Sequence, residues 1–226
     1  MLNKIVPTVA EALKDVRDGS VVMIGGFGAV GQPNALIEGI IEQGAGDLTI
    51  VANNAGSGRV GLARLMELGR VRRVICSFPR QAGSTVFEGL FARGAIELEV
   101  VPQGTLAERI RAAGAGVGAF FTPTSFGTEL AEGKEVRELD GRMQVLEFAL
   151  HADIALIECW QADRWGNLTY RGSGRNFNPV MASAARLTIA QAQQVVALGA
   201  IAPDAVVTPG LFVDRIVEVA DGGPVF

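Results

Sequence analysis

The sequence predicts an α/β fold: an open, mostly parallel sheet flanked by helices, with a small irregular or antiparallel subdomain at about residues 114–145, within one domain spanning 1–226. Three observations predict it. Short apolar runs alternate with segments whose apolar residues recur at helical spacing. Each run ends in a turn rich in glycine or side-chain amides. The 226 residues are 49% hydrophobic and only 6% aromatic, with 29 glycines, which suits a large, tightly turned core rather than a β-sandwich.

The elements follow in order. Thr8-x-x-Glu11 reads as a capping box, with Val9, Leu13 and Val16 on the helix behind it. Val21 to Ile24 is a buried strand that runs into Gly25-Gly26-Phe27-Gly28-Ala29-Val30-Gly31, and Pro33 opens the next helix at its first position. Leu36, Ile37, Ile40 and Ile41 mark one face of that helix, and Gly44 ends it. A second strand, Leu48 to Ala52, closes on Asn53-Asn54-Ala55-Gly56, and a helix follows through Leu62, Leu65, Met66 and Leu68. Val71 to Cys76 is a third strand and Phe87 to Phe91 is helical. Ile96 to Val101 is a fourth strand, ending at Pro102-Gln103-Gly104, with Thr105-x-x-Glu108 as a second capping box. This fourfold repetition implies right-handed crossovers in a parallel sheet. Gly114 to Gly141 is rich in Gly, Thr and Pro and matches no regular pattern. Further strands are expected at Val145 to Glu147 and Ile154 to Glu158, a turn at Trp165-Gly166-Asn167, and returns to the sheet at Ala184 to Val196 and Val206 to Val213.

The net charge of −4 argues against a nucleic-acid partner, and Arg70, Arg72 and Arg73 read as a solvated strand entrance. No apolar run reaches the ~18 residues of a membrane span, and the N-terminus from Met1 lacks a signal-peptide core. Cys76 and Cys159 sit far apart in apolar runs and read as buried, reduced thiols of a cytoplasmic protein. With a single histidine they make no zinc site, so no metal is expected.

Ligands of open parallel sheets bind beyond the carboxyl ends of the strands. Three unusual turns fall there: Gly25 to Gly31, Asn53-Asn54 and Pro102-Gln103-Gly104. All offer neutral hydrogen-bond donors, and Gln103 sits beside a capped helix N-terminus, where negative charge is favoured. Together they describe a pocket for a carboxylate or a developing oxyanion. Each also has a simpler reading: backbone geometry for the glycines, a satisfied turn for the asparagines, a surface turn for Gln103.

Gly26-x-Gly28-x-x-Gly31 also fits the dinucleotide fingerprint of an oxidoreductase, but the second strand ends in Asn53-Asn54 where that fingerprint needs an acidic residue. No nucleophile is evident. His151 reads as a core or edge histidine, Cys159 has no cationic partner, and no Gly-x-Ser-x-Gly elbow follows a strand. Glu97 and Glu99 alternate along a strand and read as solvent-facing. The chain offers stabilising groups without an evident attacking one, and a non-catalytic assembly or regulatory subunit is an alternative reading.

The segment from Asp18 to Pro33 resembles the first signature of the A (alpha) subunit of family I coenzyme A transferases. The resemblance continues at Asn53 to Gly56, Val101 to Ile110, Ala119 to Thr124, Asp163 to Tyr170 and Arg175-Asn176-Phe177, and covers nearly the whole chain. Cys76-Ser77-Phe78-Pro79-Arg80-Gln81, Asp140-Gly141-Arg142-Met143 and Thr208-Pro209-Gly210 resemble the 3-oxoadipate branch of that family more than the acetoacetate-type branch.

The resemblance implies a CoA-transferase-like fold and transfer of CoA from succinyl-CoA to a 3-oxoacid, with no cofactor. The nucleophile it implies is a glutamate in a Ser-Glu-Asn-Gly segment of a B (beta) subunit; no such segment occurs in these 226 residues. An A2B2 assembly with the active site between A and B follows from the same resemblance. Gln103 would then bind the carbonyl or carboxylate oxygen, Asn53 and Asn54 would line the pocket, and Gly26, Phe27, Gly28 and Gly31 would form the loop over the acid. A second carboxylate on the acid needs a positive partner once desolvated, and Arg80, after the third strand, can grip one bidentately. A surface or subunit-contact role is the alternative for Arg80.

Overall fold

The computed structural model describes residues 2–80 and 84–220; Met1 and Gln81, both used above, lie outside them. Seven strands form one sheet in the order β11 (Arg215–Glu218), β10 (Ala185–Val196), β8 (Ala152–Asp163), β1 (Val21–Ile24), β2 (Leu48–Asn54), β3 (Val71–Phe78) and β4 (Glu97–Val100). Every neighbouring pair is parallel. A two-residue strand, β9 (Leu168–Thr169), adds antiparallel to β8 through the turn at Trp165-Gly166-Asn167. The chain winds outward from β1 to β4 and then returns to the other side of β1, so the topological switch point lies between β1 and β8.

The two faces of the sheet follow from strand alternation. Val22, Ile24, Ile50, Val74, Cys76 and Leu156 pack on one face beneath α1 (Val9–Ala12), α2 (Asn34–Gln43), α3 (Gly61–Glu67) and α4 (Val86–Ala92). The residues between them, Met23, Val51, Ile75, Ala155 and Ile157, pack on the other beneath α5 (Gln103–Gly114) and α6 (Asn178–Ala182). Leu36, Ile37 and Ile40 of α2 are fully buried, each contributing about 1.5–3 kcal/mol on leaving water. The Thr8 hydroxyl caps α1 by accepting from Glu11 N at 3.1 Å. Among the described residues no helix is long and apolar enough to cross a membrane.

The segment without a clear sequence pattern carries a three-stranded antiparallel sheet, in the order β5 (Ala119–Thr122), β7 (Arg142–Phe148), β6 (Val136–Leu139). Asp140 and Gly141, with φ of 48° and 69°, make the two-residue turn joining β6 to β7, the arrangement a tight hairpin requires. Buried Glu147 ties this sheet to the body: Lys134 Nζ lies 2.6 Å from its Oε1, and Arg109 of α5 lies 3.9 Å from its Oε2. Arg109 also pairs with Glu99 at 2.7 Å and Arg73 with the same carboxylate at 2.5 Å, so Glu99 does not simply face solvent.

Four expected boundaries are corrected. The first helix stops at Ala12, with Leu13 as its C-cap, so Val16 lies beyond it. Pro33 is the residue before α2, not its first helical residue; its ψ of 67° is not helical. Thr105 does not cap a helix, because α5 already starts at Gln103: Leu106 N donates to Pro102 O at 2.8 Å. Val206 to Val213 is not a strand: it touches the sheet through a single bridge from Thr208 to Leu168, turns at Gly210–Phe212, and leaves the last strand to Arg215–Glu218.

Candidate functional site

The glycine loop leaves β1 at the switch point. Phe27 and Val30 exchange backbone hydrogen bonds of 3.0 and 3.2 Å, so Gly28-Ala29 forms the tip of a small hairpin. The hairpin is held from behind by a segment after β9. Asn176 Nδ2 donates to Val30 O at 3.0 Å, and its Oδ1 accepts from Gly26 N at 3.1 Å. Asn178 Nδ2 donates to Gly31 O at 3.0 Å and Gly174 O at 2.8 Å, and its Oδ1 accepts from Glu158 N at 3.0 Å. These contacts explain two of the glycines. A Cβ on Gly25 would lie 1.8 Å from Asn178 Oδ1; one on Gly31, whose φ is 69°, would lie 2.7 Å from Gly174 O.

Beside this loop, β2 runs on to Asn53 and Asn54, both buried. Asn53 Oδ1 accepts from Gln103 Nε2 at 2.7 Å and from Ser77 Oγ at 2.9 Å. Asn54 Oδ1 accepts from Gly56 N at 2.9 Å, closing the turn, and its Nδ2 lies 3.5 Å from Gly28 O. Gln103 is the exposed first residue of α5. No side chain caps α5, so the N–H groups of its first turn are free of intrahelical acceptors and favour negative charge nearby. Gln103, Gly104 and Ala107 face Phe27, Asn176 and Phe177 across a cleft of about 290 Å³.

The structure therefore brings Gly26, Phe27, Gly28, Gly31, Asn53, Asn54 and Gln103 to one end of the sheet. Arg80 stands apart from the cleft residues. Its side chain is 78% exposed, with Nε 3.6 Å from Glu88 Oε1 of α4. Ser77, Asn176 and Asn178 join the site without having been singled out for a role by the sequence. The usable signals are a hydroxyl one residue past a buried strand cysteine and the amide pair in Asn176-Phe177-Asn178-Pro179, directly after a glycine turn.

Among the described residues no activated nucleophile accompanies these amides. Burial pushes the Cys76 thiol up to about 12 and raises Cys159 further, the neighbouring Glu158 carboxylate adding to the shift. His151 is exposed, just before β8. Glu158 lines a second cleft, of about 390 Å³, on the Val30 side of the loop; burial raises its carboxyl above the usual range, partly offset by a 2.7 Å bond from Gln193 Nε2. Among the described residues no cluster of His, Cys, Asp or Glu is grouped to hold a metal.

Residues 6–219 match the family model described as coenzyme A transferase. The chain is 60% identical over 220 residues to the A subunit of 3-oxoadipate CoA-transferase from Pseudomonas putida, covering 97% of this chain and 95% of that protein. It is 48% identical to the A subunit of succinyl-CoA:3-ketoacid coenzyme A transferase from Xanthomonas campestris, over 89% of this chain and 83% of that one. Its fold matches the crystal structure of glutaconate coenzyme A-transferase from Acidaminococcus fermentans with a TM-score of 0.84 at 23% identity, over 97% of this chain and 76% of that one. None of these supports the dinucleotide-binding reading. The chain belongs to the coenzyme A transferase family, as an enzyme subunit.

Proposed function

We propose that this chain is the A subunit of a 3-oxoacid CoA-transferase that moves CoA from succinyl-CoA to 3-oxoadipate, through a glutamyl-CoA thioester on a B subunit. The observation that carries the reading is a site made of amide donors with no activated nucleophile, in a chain 60% identical to the A subunit of an enzyme of that name. Gln103 and the first turn of α5 stabilise the oxyanion that forms when a carboxylate attacks the acyl-CoA carbonyl. Asn53 aims Gln103, and the hairpin of Gly26, Phe27, Gly28 and Gly31 closes over the acid.

The partner subunit supplies the attacking glutamate, and the rim of this site suits a partner. Phe27 is 50% exposed, and Phe78, paired in register with Asn54, is 59% exposed. Apolar side chains so placed favour burial against another protein surface. Thioester exchange changes no oxidation state, so the reaction needs no redox cofactor, and this reading assigns it no metal. A cytoplasmic A2B2 enzyme follows from the same reading.

The test is turnover of the co-expressed A–B complex on a panel of 3-oxoacids. The expected result is preference for 3-oxoadipate over acetoacetate, no turnover by the isolated A protein, and a loss of about a hundredfold or more in kcat for Gln103→Ala. Full thioester exchange by the isolated chain would overturn the reading. Equal use of acetoacetate would move the enzyme to the acetoacetate-type branch. Arg80→Ala is expected to weaken use of 3-oxoadipate more than of acetoacetate; equal loss on both assigns Arg80 to structure.

A further inference from the structure

We propose that Ser77 is a positioning residue: its hydroxyl, acting through Asn53, fixes how the Gln103 amide is presented to the cleft. The inference rests on the reading above, in which Gln103 faces the substrate oxygen. Ser77 lies on β3 opposite Asn53, since Ala52 pairs with Cys76 and Asn54 with Phe78 in the same ladder. Its Oγ is 2.9 Å from Asn53 Oδ1 and 3.1 Å from Asn53 O, so it bridges the side chain and main chain of one residue. Asn53 Oδ1 in turn accepts from Gln103 Nε2 at 2.7 Å. The result is a chain of three side chains running from the sheet to the exposed tip of α5.

The chemistry of the three groups makes this chain directional. A hydroxyl carries one proton, whereas an amide has a donating and an accepting end. When the Ser77 proton points at Oδ1, the carbonyl of Asn53 is its inner end, and Gln103 must donate to it. The second N–H of Gln103 then remains for the cleft. Ser77 thus holds Asn53 with its oxygen toward both neighbours and leaves Gln103 one donor for the cleft. Without the hydroxyl, buried Asn53 loses its inner partner and Gln103 loses a fixed orientation. Preorganised donors are worth most when they need no rearrangement as charge develops.

The experiment measures steady-state kinetics of the A–B complex for Ser77→Ala, Ser77→Thr, Gln103→Ala and the double variant Ser77→Ala/Gln103→Ala. The expected result for Ser77→Ala is a loss of about tenfold in kcat with KM for the acyl-CoA changed less than about twofold, and for Ser77→Thr, which keeps the hydroxyl, recovery to within about twofold. In the Gln103→Ala background Ser77→Ala should cost little more, because the group it positions is gone. Equal losses from Ser77→Ala in both backgrounds would overturn the proposal, as would an undamaged Ser77→Ala beside a damaged Gln103→Ala. A silent Gln103→Ala would instead remove the site reading and this inference with it. If Ser77→Ala does not assemble, Ser77→Thr against the isosteric Ser77→Val gives the same contrast.

Discussion

Asn53 and Asn178 are both buried asparagines at the same end of the sheet, at 3% and 0% exposure, yet they are spent in opposite ways. The closest partners of Asn178 are main-chain groups, Gly31 O, Gly174 O and Glu158 N, which tie the glycine loop and the turn at Gly174 to β8. The side-chain oxygen of Asn53 goes to two other side chains, Ser77 and Gln103, the second of which reaches solvent. An amide bonded to backbone sets a shape. An amide bonded to an exposed side chain sets a direction. The site needs both, because a loop in the wrong place and a donor in the wrong orientation each lose a correctly placed hydrogen bond.

The comparison breaks most visibly at Asn178. Asn178→Ala strands three part-buried main-chain groups, each costing up to about 1–3 kcal/mol without a partner, so a loss of about 3 kcal/mol is expected. For a chain of this size that lowers Tm by about 6–12 °C in thermal unfolding of the complex. Asn53→Ala should cost about 1–2 kcal/mol of stability and show its main effect in kcat. Equal Tm losses in the two variants would mean that Asn53 is also scaffold.

The loop offers an internal control for the same contrast. Gly31 and Gly28 both have positive φ, 69° and 61°, but only Gly31 is crowded: a Cβ there meets Gly174 O at 2.7 Å, while one on Gly28 meets nothing within 4 Å. Gly28→Ala is therefore expected to cost the backbone strain alone, about 1–2 kcal/mol. Gly31→Ala must also push the loop off its clamp, so its Tm should fall further. Matching values would show that the clamp yields freely and that Asn178 does not define the loop.

Much of this arrangement is legible in the sequence, for identifiable reasons. The strands Val21–Ile24 and Leu48–Asn54 announce themselves because a short apolar run closed by a glycine or amide turn leaves few alternatives, and Val71–Phe78 and Glu97–Val100 follow from the repetition of strand, turn and helix. Gln103 stands out as an amide after a strand-ending proline. The start of α5 is misplaced because Thr105-x-x-Glu108 imitates a capping box, while Pro102 has already set the first helical turn. Asp140-Gly141 carries a hairpin signal, but read as a branch motif alone it leaves β6 and β7 unrecognised as a pair. Asn176 and Asn178 are illegible as a clamp because their partners lie about 150 residues earlier, Gly26 and Gly31, and no local pattern encodes that distance.

A smaller effect is expected on the Val30 side of the loop, where Asn178 meets β8. Burial raises the Glu158 carboxyl above its ordinary value of 4.5, so the folded chain holds that proton longer than the unfolded chain does. Its contribution to stability is then complete below 4.5 and is lost as pH rises through the raised value. Glu158→Gln keeps a neutral side chain of similar shape at every pH. The variant should match the wild type at the acidic end of a Tm series and overtake it as pH rises. A constant gap between the two curves would mean that the Gln193 bond, rather than burial, governs Glu158.

The smallest effect sharpens the comparison on β3 itself, where Cys76 and Ser77 are neighbours with opposite duties. Alternation along the strand sends Cys76 into the core, fully buried, and leaves Ser77 beside Asn53. With its pKa near 12, the Cys76 thiol is about one part in ten thousand thiolate at pH 8. Cys159, raised further, holds still less. Thiol alkylation of the folded complex at pH 8 should therefore leave turnover unchanged, with both cysteines recovered unmodified by mass spectrometry and alkylated only after denaturation. Rapid labelling of Cys76 with loss of activity would show that β3 opens at its carboxyl end. In that case Ser77 could not hold a fixed orientation for Asn53, and the directional role of that asparagine would fall with it.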